Sequence, residues 1–108
     1  MPLVALHSQV RPGRGPDYDR AHARIPDELV EAHRRAGIRD WSIWRSGDHL
    51  FHLVDCDDFD AAVRQLEHDP ANQRWQAFIG DYVERLEIGD EGSPALALVW
   101  RMRDQAPD

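Results

Sequence analysis

The spacing of apolar residues along the chain predicts four β-strands. Leu3–Val10 is short and apolar-rich, and a Pro-Gly pair follows it, which is typical of a strand that ends in a turn. Asp40–Ser46 and His49–Cys56 are rich in aromatic and β-favouring residues, and the Gly47-Asp48 pair between them is suited to a hairpin. After a loop that contains glycine and proline, we expect Ala95–Met102 to form the last strand.

The first helical region lies between the first two strands. Apolar and aromatic residues recur there at spacings of three and four, which places them on one helix face. This face consists of Tyr18, Ala21, His22, Ile25 and Leu29. Pro26 has no backbone N–H to donate to the carbonyl of residue 22. We therefore predict that the helix kinks or restarts at Pro26 and that a second segment continues to Ala36.

The second helical region follows the hairpin and is predicted to be split in two. Asp57-Asp58 precede a short helix with Phe59 and Leu66 on its apolar face. Asp69-Pro70 is typical of an N-cap followed by the first helical position. The apolar face predicted for this last helix consists of Trp75, Phe78, Ile79, Tyr82, Val83 and Leu86.

The resulting β-α-β-β-α-β order predicts an α+β fold of the ferredoxin-like split βαβ type. Such a fold has a four-stranded antiparallel sheet with its helices on one face. We expect one domain over residues 1–104 and a frayed tail over residues 105–108. Leu, Phe, Trp and Ile side chains from four strands would line the other sheet face, a patch too large for a monomer to expose. Face-to-face packing of two sheets in a homodimer would bury it.

Composition excludes several classes of partner. Among 108 residues, 20 are acidic and 13 are basic, all of them arginine, and the formal net charge is −7. A nucleic-acid-binding protein has clustered positive charge, and no apolar run here approaches the ~20 residues that span a bilayer. Met1-Pro2-Leu3 leads directly into the first strand, without the pattern of a secretory signal. We therefore expect a cytoplasmic protein that binds neither nucleic acid nor membranes.

The sequence contains no recognisable metal or cofactor motif. His49 and His52 are three apart on a predicted strand, so their side chains point to opposite faces. His22 and His33 share a helix face but lie about 16 Å apart along its axis. No HExxH, CxxC or glycine-rich phosphate-binding pattern occurs. We expect no metal site, no cofactor, and a buried structural role for the single cysteine, Cys56.

Tyr18 and His22 are the candidates for acid–base chemistry. They are four residues apart, so one lies a turn above the other on the same helix face. A histidine titrates near neutral pH, which suits general acid–base catalysis, and a neighbouring phenol can bond a substrate or orient the ring. The same spacing is also typical of a tyrosine and a satisfied histidine on the core side of a helix, so both interpretations remain open.

The four tryptophans suggest a second kind of site. Trp41 and Trp44 are three apart on one strand, so one should face the helices and the other the open side of the sheet. Aromatic rings beside a few polar groups suit sugars, because the C–H faces of a sugar lie on rings while its hydroxyls need donors and acceptors. Core packing is the alternative for Trp41 and for Trp75.

Together these residues resemble the L-rhamnose mutarotase family. The resemblance covers the chain from about Leu3 to Phe78, with a plausible last strand, and it rests on a combination of spacings. The matching pieces are Tyr18-x-x-x-His22, Pro26–Leu29, Ala36–Trp44 and Asn72–Trp75. The resemblance implies a dimeric ferredoxin-like α/β barrel that uses no cofactor. It also implies an isomerase that interconverts the α and β anomers of 6-deoxy-L-aldoses such as L-rhamnose or L-fucose.

The resemblance also implies roles for individual residues. The catalytic, proton-donating histidine of the family falls on His22, and a sugar-contacting tyrosine falls on Tyr18. A second substrate-contacting tyrosine falls on Trp41, which keeps a ring and one N–H donor but has no phenol oxygen. A tandem tryptophan pair falls on Trp75 and Gln76, where the amide replaces a stacking surface by hydrogen-bonding groups.

Two other functions remain open at this stage. The same barrel architecture also hosts small cofactor-free monooxygenases and haem-dependent proteins, and fold alone does not separate them from mutarotases. A non-catalytic sugar-binding module would use the tryptophan rings for binding and His22 for structure. A mutarotase would accelerate anomer exchange at trace concentration, whereas a binding module would change the anomer ratio only stoichiometrically.

Overall fold

The computed structural model describes residues 3–83 and 95–105 of the chain. Strands β1, β2 and β3 cover Leu3–Gln9, Ile38–Ser46 and His49–Cys56. Helices α1 to α4 cover Gly15–Ala21, Asp27–Arg35, Phe59–Glu67 and Pro70–Ile79. Near the C-terminus, Met102–Asp104 forms one turn of 3₁₀ helix.

Within the described residues the sheet has three antiparallel strands, in the order β1-β3-β2. The prediction of a four-stranded sheet is therefore wrong for this part of the chain. Ala95, the first residue of the predicted fourth strand, forms one antiparallel bridge with Leu6. The pairing then stops, and Val99 is 95% exposed. The bridge lies at the free edge of β1, which is where this topology would place a fourth strand.

The first helical region is interrupted where Pro26 predicts. Helix α1 ends at Ala21, and α2 begins at Asp27 directly after the proline. The predicted restart is confirmed, and it has a consequence for His22. This residue caps the C-terminal end of α1, so the last turn of α1 holds it while the chain after it leaves the helix.

Helix α4 ends at Ile79, so the prediction that its apolar face continues through Tyr82 and Val83 is wrong. Val83 instead forms an antiparallel bridge with Val10, just beyond the end of β1. The Tyr82 carbonyl there accepts from the Arg11 N–H, while the N–H groups of Tyr82 and Val83 still donate to the Ile79 carbonyl. Leu86 lies outside the described residues, as do the predicted loop before the last strand and residues 106–108 of the predicted tail.

All four helices pack on one face of the sheet, as predicted. Two apolar clusters fill this helix-facing side, one beneath α2, α3 and α4 and the other between α1 and the C-terminal end of α4. Cross-strand register shows which strand residues contribute to it. They are Leu6, Ser8, Trp41, Ile43, Leu50, His52 and Val54.

The other face of the sheet, here called the open face, is largely apolar at its centre. His7, Phe51 and Trp44 are neighbours across the three strands there. Trp44 is 57% exposed and Phe51 is 44% exposed. The prediction that an isoleucine contributes to this face is wrong, because Ile43 pairs with His52 on the helix-facing side.

Candidate active site

A cavity of about 640 Å³ lies between the helix-facing side of the sheet and the helices. The residues assigned to the site from the sequence all line it, although they come from three distant parts of the chain. Tyr18 and His22 belong to the end of α1, Trp41 to β2, and Trp75 and Gln76 to α4. The fold thus brings together one histidine, three aromatic rings and one amide.

The end of α1 fixes the orientation of His22. Its backbone N–H and its ring Nδ1 each lie 3.1 Å from the carbonyl oxygen of Tyr18. Because a carbonyl oxygen only accepts hydrogen bonds, Nδ1 must carry the hydrogen. In the neutral ring Nε2 is then unprotonated, and among the described residues none bonds it.

Burial lowers the pKa of His22, and the Tyr18 carbonyl and the Asp19 carboxylate oppose this effect in part. The neutral imidazole is therefore the main form at neutral pH. In this form Nε2 can accept a proton from a ligand and afterwards return it. The side chain thus has the properties of a general base that becomes a general acid.

Tyr18 and Trp75 hold the His22 ring from two sides. The Tyr18 ring is stacked on it, with centroids 4.0 Å apart, and the Trp75 ring meets it edge-on at 5.1 Å. Burial raises the pKa of the Tyr18 phenol, so its hydroxyl stays protonated and can donate to a sugar oxygen. Tyr18 also belongs to the apolar cluster at α1, so both interpretations of this tyrosine, as core residue and as ligand contact, are compatible with its position.

Trp41 faces the helices and Trp44 faces the other way, as the strand spacing predicts. The Trp41 ring is stacked on His33 of α2 at 5.5 Å between centroids. Its indole N–H donates to Nδ1 of His52 over 3.1 Å. His33 covers one face of the Trp41 ring, so the other face remains for a ligand in the cavity, whereas the indole donor is already used within the protein.

Gln76 is the most exposed of the assigned residues. It lies next to Trp75 on α4, lines the cavity, and makes no side-chain hydrogen bond within the described residues. Its amide can donate and accept at the same time. At this position it suits a ligand hydroxyl better than a ligand C–H face.

Ser8 and His52 also line the cavity, although neither was assigned to the site from the sequence, where His52 was considered only as a metal ligand. Ser8 Oγ lies 2.9 Å from Nε2 of His52, and both residues are buried. The strand alternation that separates His52 from His49 would have placed His52 beside Leu50 and Val54 on the buried side. A histidine between buried aliphatic positions of a strand was therefore the sequence feature that could have indicated a cavity-lining role for His52.

A bidentate ion pair fastens α1 to the sheet. Nε and Nη2 of Arg45 lie 2.8 and 2.6 Å from the two carboxylate oxygens of Asp19. The Arg45 guanidinium also packs against Gly15, where a Cβ atom would collide with it. This contact sets the position of the helix that carries Tyr18 and His22.

The remaining sequence predictions concern metals, Cys56 and membranes. Within residues 3–83 and 95–105, no three His, Cys, Asp or Glu side chains lie close enough together to hold a metal ion. His49 and His52 do point to opposite faces, and Cys56 is buried as a free thiol, as predicted. No helix in the described part of the chain is long and apolar enough to cross a membrane.

The comparisons with known sequences give consistent matches. The family model of L-rhamnose mutarotase matches residues 3–102. The chain is 34% identical over 97 residues to the L-rhamnose mutarotase of Burkholderia ambifaria (strain MC40-6), which covers 88% of this chain and 89% of that protein. It is 32% identical over 96 residues to the L-rhamnose mutarotase of Burkholderia cenocepacia (strain HI2424), covering 87% and 88%.

Solved structures share the fold. The L-rhamnose mutarotase of Formosa agariphila superposes with a TM-score of 0.72 at 19% identity, covering 94% of this chain and 99% of that chain. Tetracenomycin F2 cyclase from Streptomyces glaucescens superposes with a TM-score of 0.65 at 19% identity, covering 99% and 100%. At these identities the likeness establishes a common α+β architecture and nothing more about chemistry.

Proposed function

Because this chain belongs to the L-rhamnose mutarotase family, it is an isomerase of the mutarotase class, and we propose that it interconverts the α and β anomers of a 6-deoxy-L-aldose of the L-rhamnose or L-fucose type. The observation that carries this proposal is the state of His22. Its Nδ1 is held by the Tyr18 carbonyl, which leaves Nε2 to exchange a proton with a ligand in the cavity.

In the proposed reaction, ring opening and ring closure each need two proton transfers, and there is no net change in protonation. His22 Nε2 removes the proton from the O1 hydroxyl, the bond between C1 and the ring oxygen breaks, and the ring oxygen receives a proton from the imidazolium. Rotation about the C1–C2 bond turns the aldehyde, and the reverse steps close the ring on its other face. The reaction moves only protons, so we expect it to use no cofactor.

The other assigned residues are proposed to bind the sugar. The neutral Tyr18 hydroxyl donates to a sugar oxygen, and the Gln76 amide bonds a hydroxyl at the exposed end of the cavity. The rings of Trp41 and Trp75 cover C–H faces of the sugar and its methyl group. A well-placed acid–base group accelerates a reaction by about 10²–10⁴-fold, which suits an anomer exchange that already proceeds in water.

The test is NMR exchange spectroscopy on the anomeric protons of a panel of L- and D-aldoses with trace amounts of the protein. We expect faster α/β exchange for one or more 6-deoxy-L-aldoses. For their D-enantiomers we expect exchange that is slower than for the L-sugars or unchanged from the uncatalysed rate. One spectrum per sugar identifies the reaction and the substrate together. Uncatalysed exchange for every sugar in the panel would refute the proposal.

We also propose that the protein is a homodimer closed through its open faces. The exposed pair Trp44 and Phe51 lies at the centre of that face, and burying such large rings is the main energy source for a sheet-on-sheet interface. Sedimentation should give about twice the mass of 12.4 kDa expected for one chain. Trp44→Arg should give monomers, whereas a parent that sediments as a monomer would refute the dimer.

The buried free thiol of Cys56 is in keeping with the cytoplasm, where we propose that the enzyme works.

A further inference from the structure

A chain of hydrogen bonds crosses the sheet beneath the cavity. It joins one residue from each strand: Trp41 on β2, His52 on β3 and Ser8 on β1. The Trp41 indole N–H lies 3.1 Å from Nδ1 of His52, and Nε2 of His52 lies 2.9 Å from the Ser8 oxygen. Ser8 and His52 are only 4% and 8% exposed, and all three residues line the cavity.

The direction of each hydrogen bond in this chain follows from the donor chemistry. An indole N–H only donates, so Nδ1 of His52 must accept and carries no hydrogen. Burial, together with the nearby His22 and His7, lowers the pKa of His52 to about 4, so the ring is neutral at neutral pH. The single ring hydrogen is then on Nε2, which donates to Ser8. Both nitrogens of His52 are used, so His52 differs from His22 and cannot exchange protons with a ligand.

The Ser8 hydroxyl therefore has a hydrogen that His52 cannot accept. A hydroxyl has one hydrogen and two lone pairs, and the bond from His52 occupies one lone pair. No other side-chain partner of Ser8 exists within the described residues. A buried donor without an acceptor is unfavourable, so the Ser8 hydroxyl favours a ligand oxygen placed beside it in the cavity.

We propose that Ser8 is a sugar-binding residue whose hydroxyl donates a hydrogen bond to a secondary hydroxyl oxygen of the substrate. His52 and Trp41 are the positioning residues that keep the Ser8 hydrogen pointing to the ligand. This inference rests on the proposed mutarotase function and assigns one determinant of its sugar specificity. His22 acts at the anomeric end of the sugar, so the Ser8 bond belongs to a hydroxyl away from C1.

The first experiment compares Ser8→Ala with the parent. Sugar dissociation constants are measured by NMR titration and exchange rates by the anomeric assay. A neutral hydrogen bond contributes about 0.5–1.5 kcal/mol, so the dissociation constant and KM should rise about 2- to 12-fold. Ser8→Thr keeps the hydroxyl and should recover most of the loss. Ser46→Ala, at the exposed end of β2, is the matched control and should bind like the parent.

A panel of monodeoxy sugars then identifies the contact. For the analogue that lacks the hydroxyl bonded by Ser8, the parent should bind as weakly as Ser8→Ala, and the substitution should cause no further loss. For every other analogue the loss of about 2- to 12-fold should persist. If folded Ser8→Ala and the parent bind every sugar with equal affinity, the inference about Ser8 is overturned, while the mutarotase function is left intact.

The tautomer of His52 tests the positioning role without any sugar. Nitrogen chemical shifts of the folded protein should show a hydrogen on Nε2 and none on Nδ1. Trp41→Phe removes the donor to Nδ1, so the Nδ1-protonated form should appear. Adding Ser8→Ala to Trp41→Phe should then weaken binding less than it does in the parent. A hydrogen on Nδ1 in the parent would overturn the positioning role of His52 whether or not the protein is a mutarotase. A failure of every sugar to bind would overturn the role of Ser8 as a sugar-binding residue.

Discussion

The imidazole Nδ1 of His22 lies 3.1 Å from the carbonyl oxygen of Tyr18, one helical turn before it. The same carbonyl also accepts the His22 backbone N–H. One oxygen at the end of α1 thus fixes both the place of the residue and the tautomer of its ring. The backbone bond is the ordinary hydrogen bond of an α-helix, and the ring bond is added to it at the C-terminal end of α1, where the chain leaves the helix before Pro26.

The pH dependence of the reaction should reflect the burial of His22. Burial lowers its pKa, so the base form persists below the ordinary histidine pKa of about 6.5. We expect kcat/KM for anomer exchange to be constant near neutral pH and to fall on the acidic side with a midpoint below that value. Exchange rates measured across the acidic range check this. A midpoint above the ordinary value would contradict the effect of burial.

Removing the His22 imidazole should abolish most of the catalysis. His22→Ala and His22→Gln should each lower the exchange rate by about 10²-fold or more, because neither side chain transfers protons near neutral pH. His68→Gln, at the exposed end of α3, is the matched control and should exchange at the parental rate. Parental exchange in both His22 variants, with an unchanged pH profile, would move the catalytic role to another residue.

Trp41→Ala should weaken both sugar binding and the fold. The sugar loses a ring surface that contributes on the order of 1 kcal/mol, and the protein loses packing against His33 and Phe59. We expect a free energy of unfolding lower by about 2–3 kcal/mol, less than for a fully buried tryptophan. Denaturant unfolding and sugar titration of the same preparation separate the two effects. Full sugar affinity in the folded variant would show that Trp41 is a core residue only.

Gly15→Ala should disturb the attachment of α1 through Arg45. A Cβ at residue 15 would collide with the guanidinium, which is held by Asp19, so one of these contacts must move. The colliding atoms are the end of a flexible arginine side chain that can move aside, so we expect a loss of stability of at most about 1 kcal/mol, as for an exposed ion pair, and a fall in the exchange rate as α1 shifts His22. In an Arg45→Ala background the same substitution should cost much less. Equal costs in the two backgrounds would rule out the collision as the cause.

Acid should destabilise the protein through His52. Its pKa is about 4 in the folded protein and about 6.5 in the unfolded chain. Between these values the unfolded chain binds a proton that the folded protein does not, so stability decreases as the pH falls through this window, by up to about 3 kcal/mol. Urea unfolding at neutral pH and near pH 4.5 measures the slope. His52→Gln should flatten it, and a parental slope in that variant would exclude His52 as its origin.

The sequence by itself determined the order of elements from β1 to α4 and the break in the first helical region. Runs of apolar and β-favouring residues predict β1, β2 and β3, and the missing N–H of Pro26 predicts a kink or restart there, which the structure shows as the start of α2 at Asp27. These are local effects, because side-chain periodicity and proline geometry act within a few residues. The resemblance added what periodicity does not contain, namely the family and the set of residues that line the cavity.

Only the tertiary structure decided which hydrogen-bonding groups remain for a ligand. His22 and His52 are the same residue type, and both line the cavity, yet one keeps Nε2 available while the other has both nitrogens bonded. The early end of α4 and the single bridge at Ala95 were likewise not readable from the apolar pattern. Each of these features depends on partners far away in sequence. A hydrogen-bond chain across three strands produces no regular residue spacing, so it cannot be predicted from the sequence pattern.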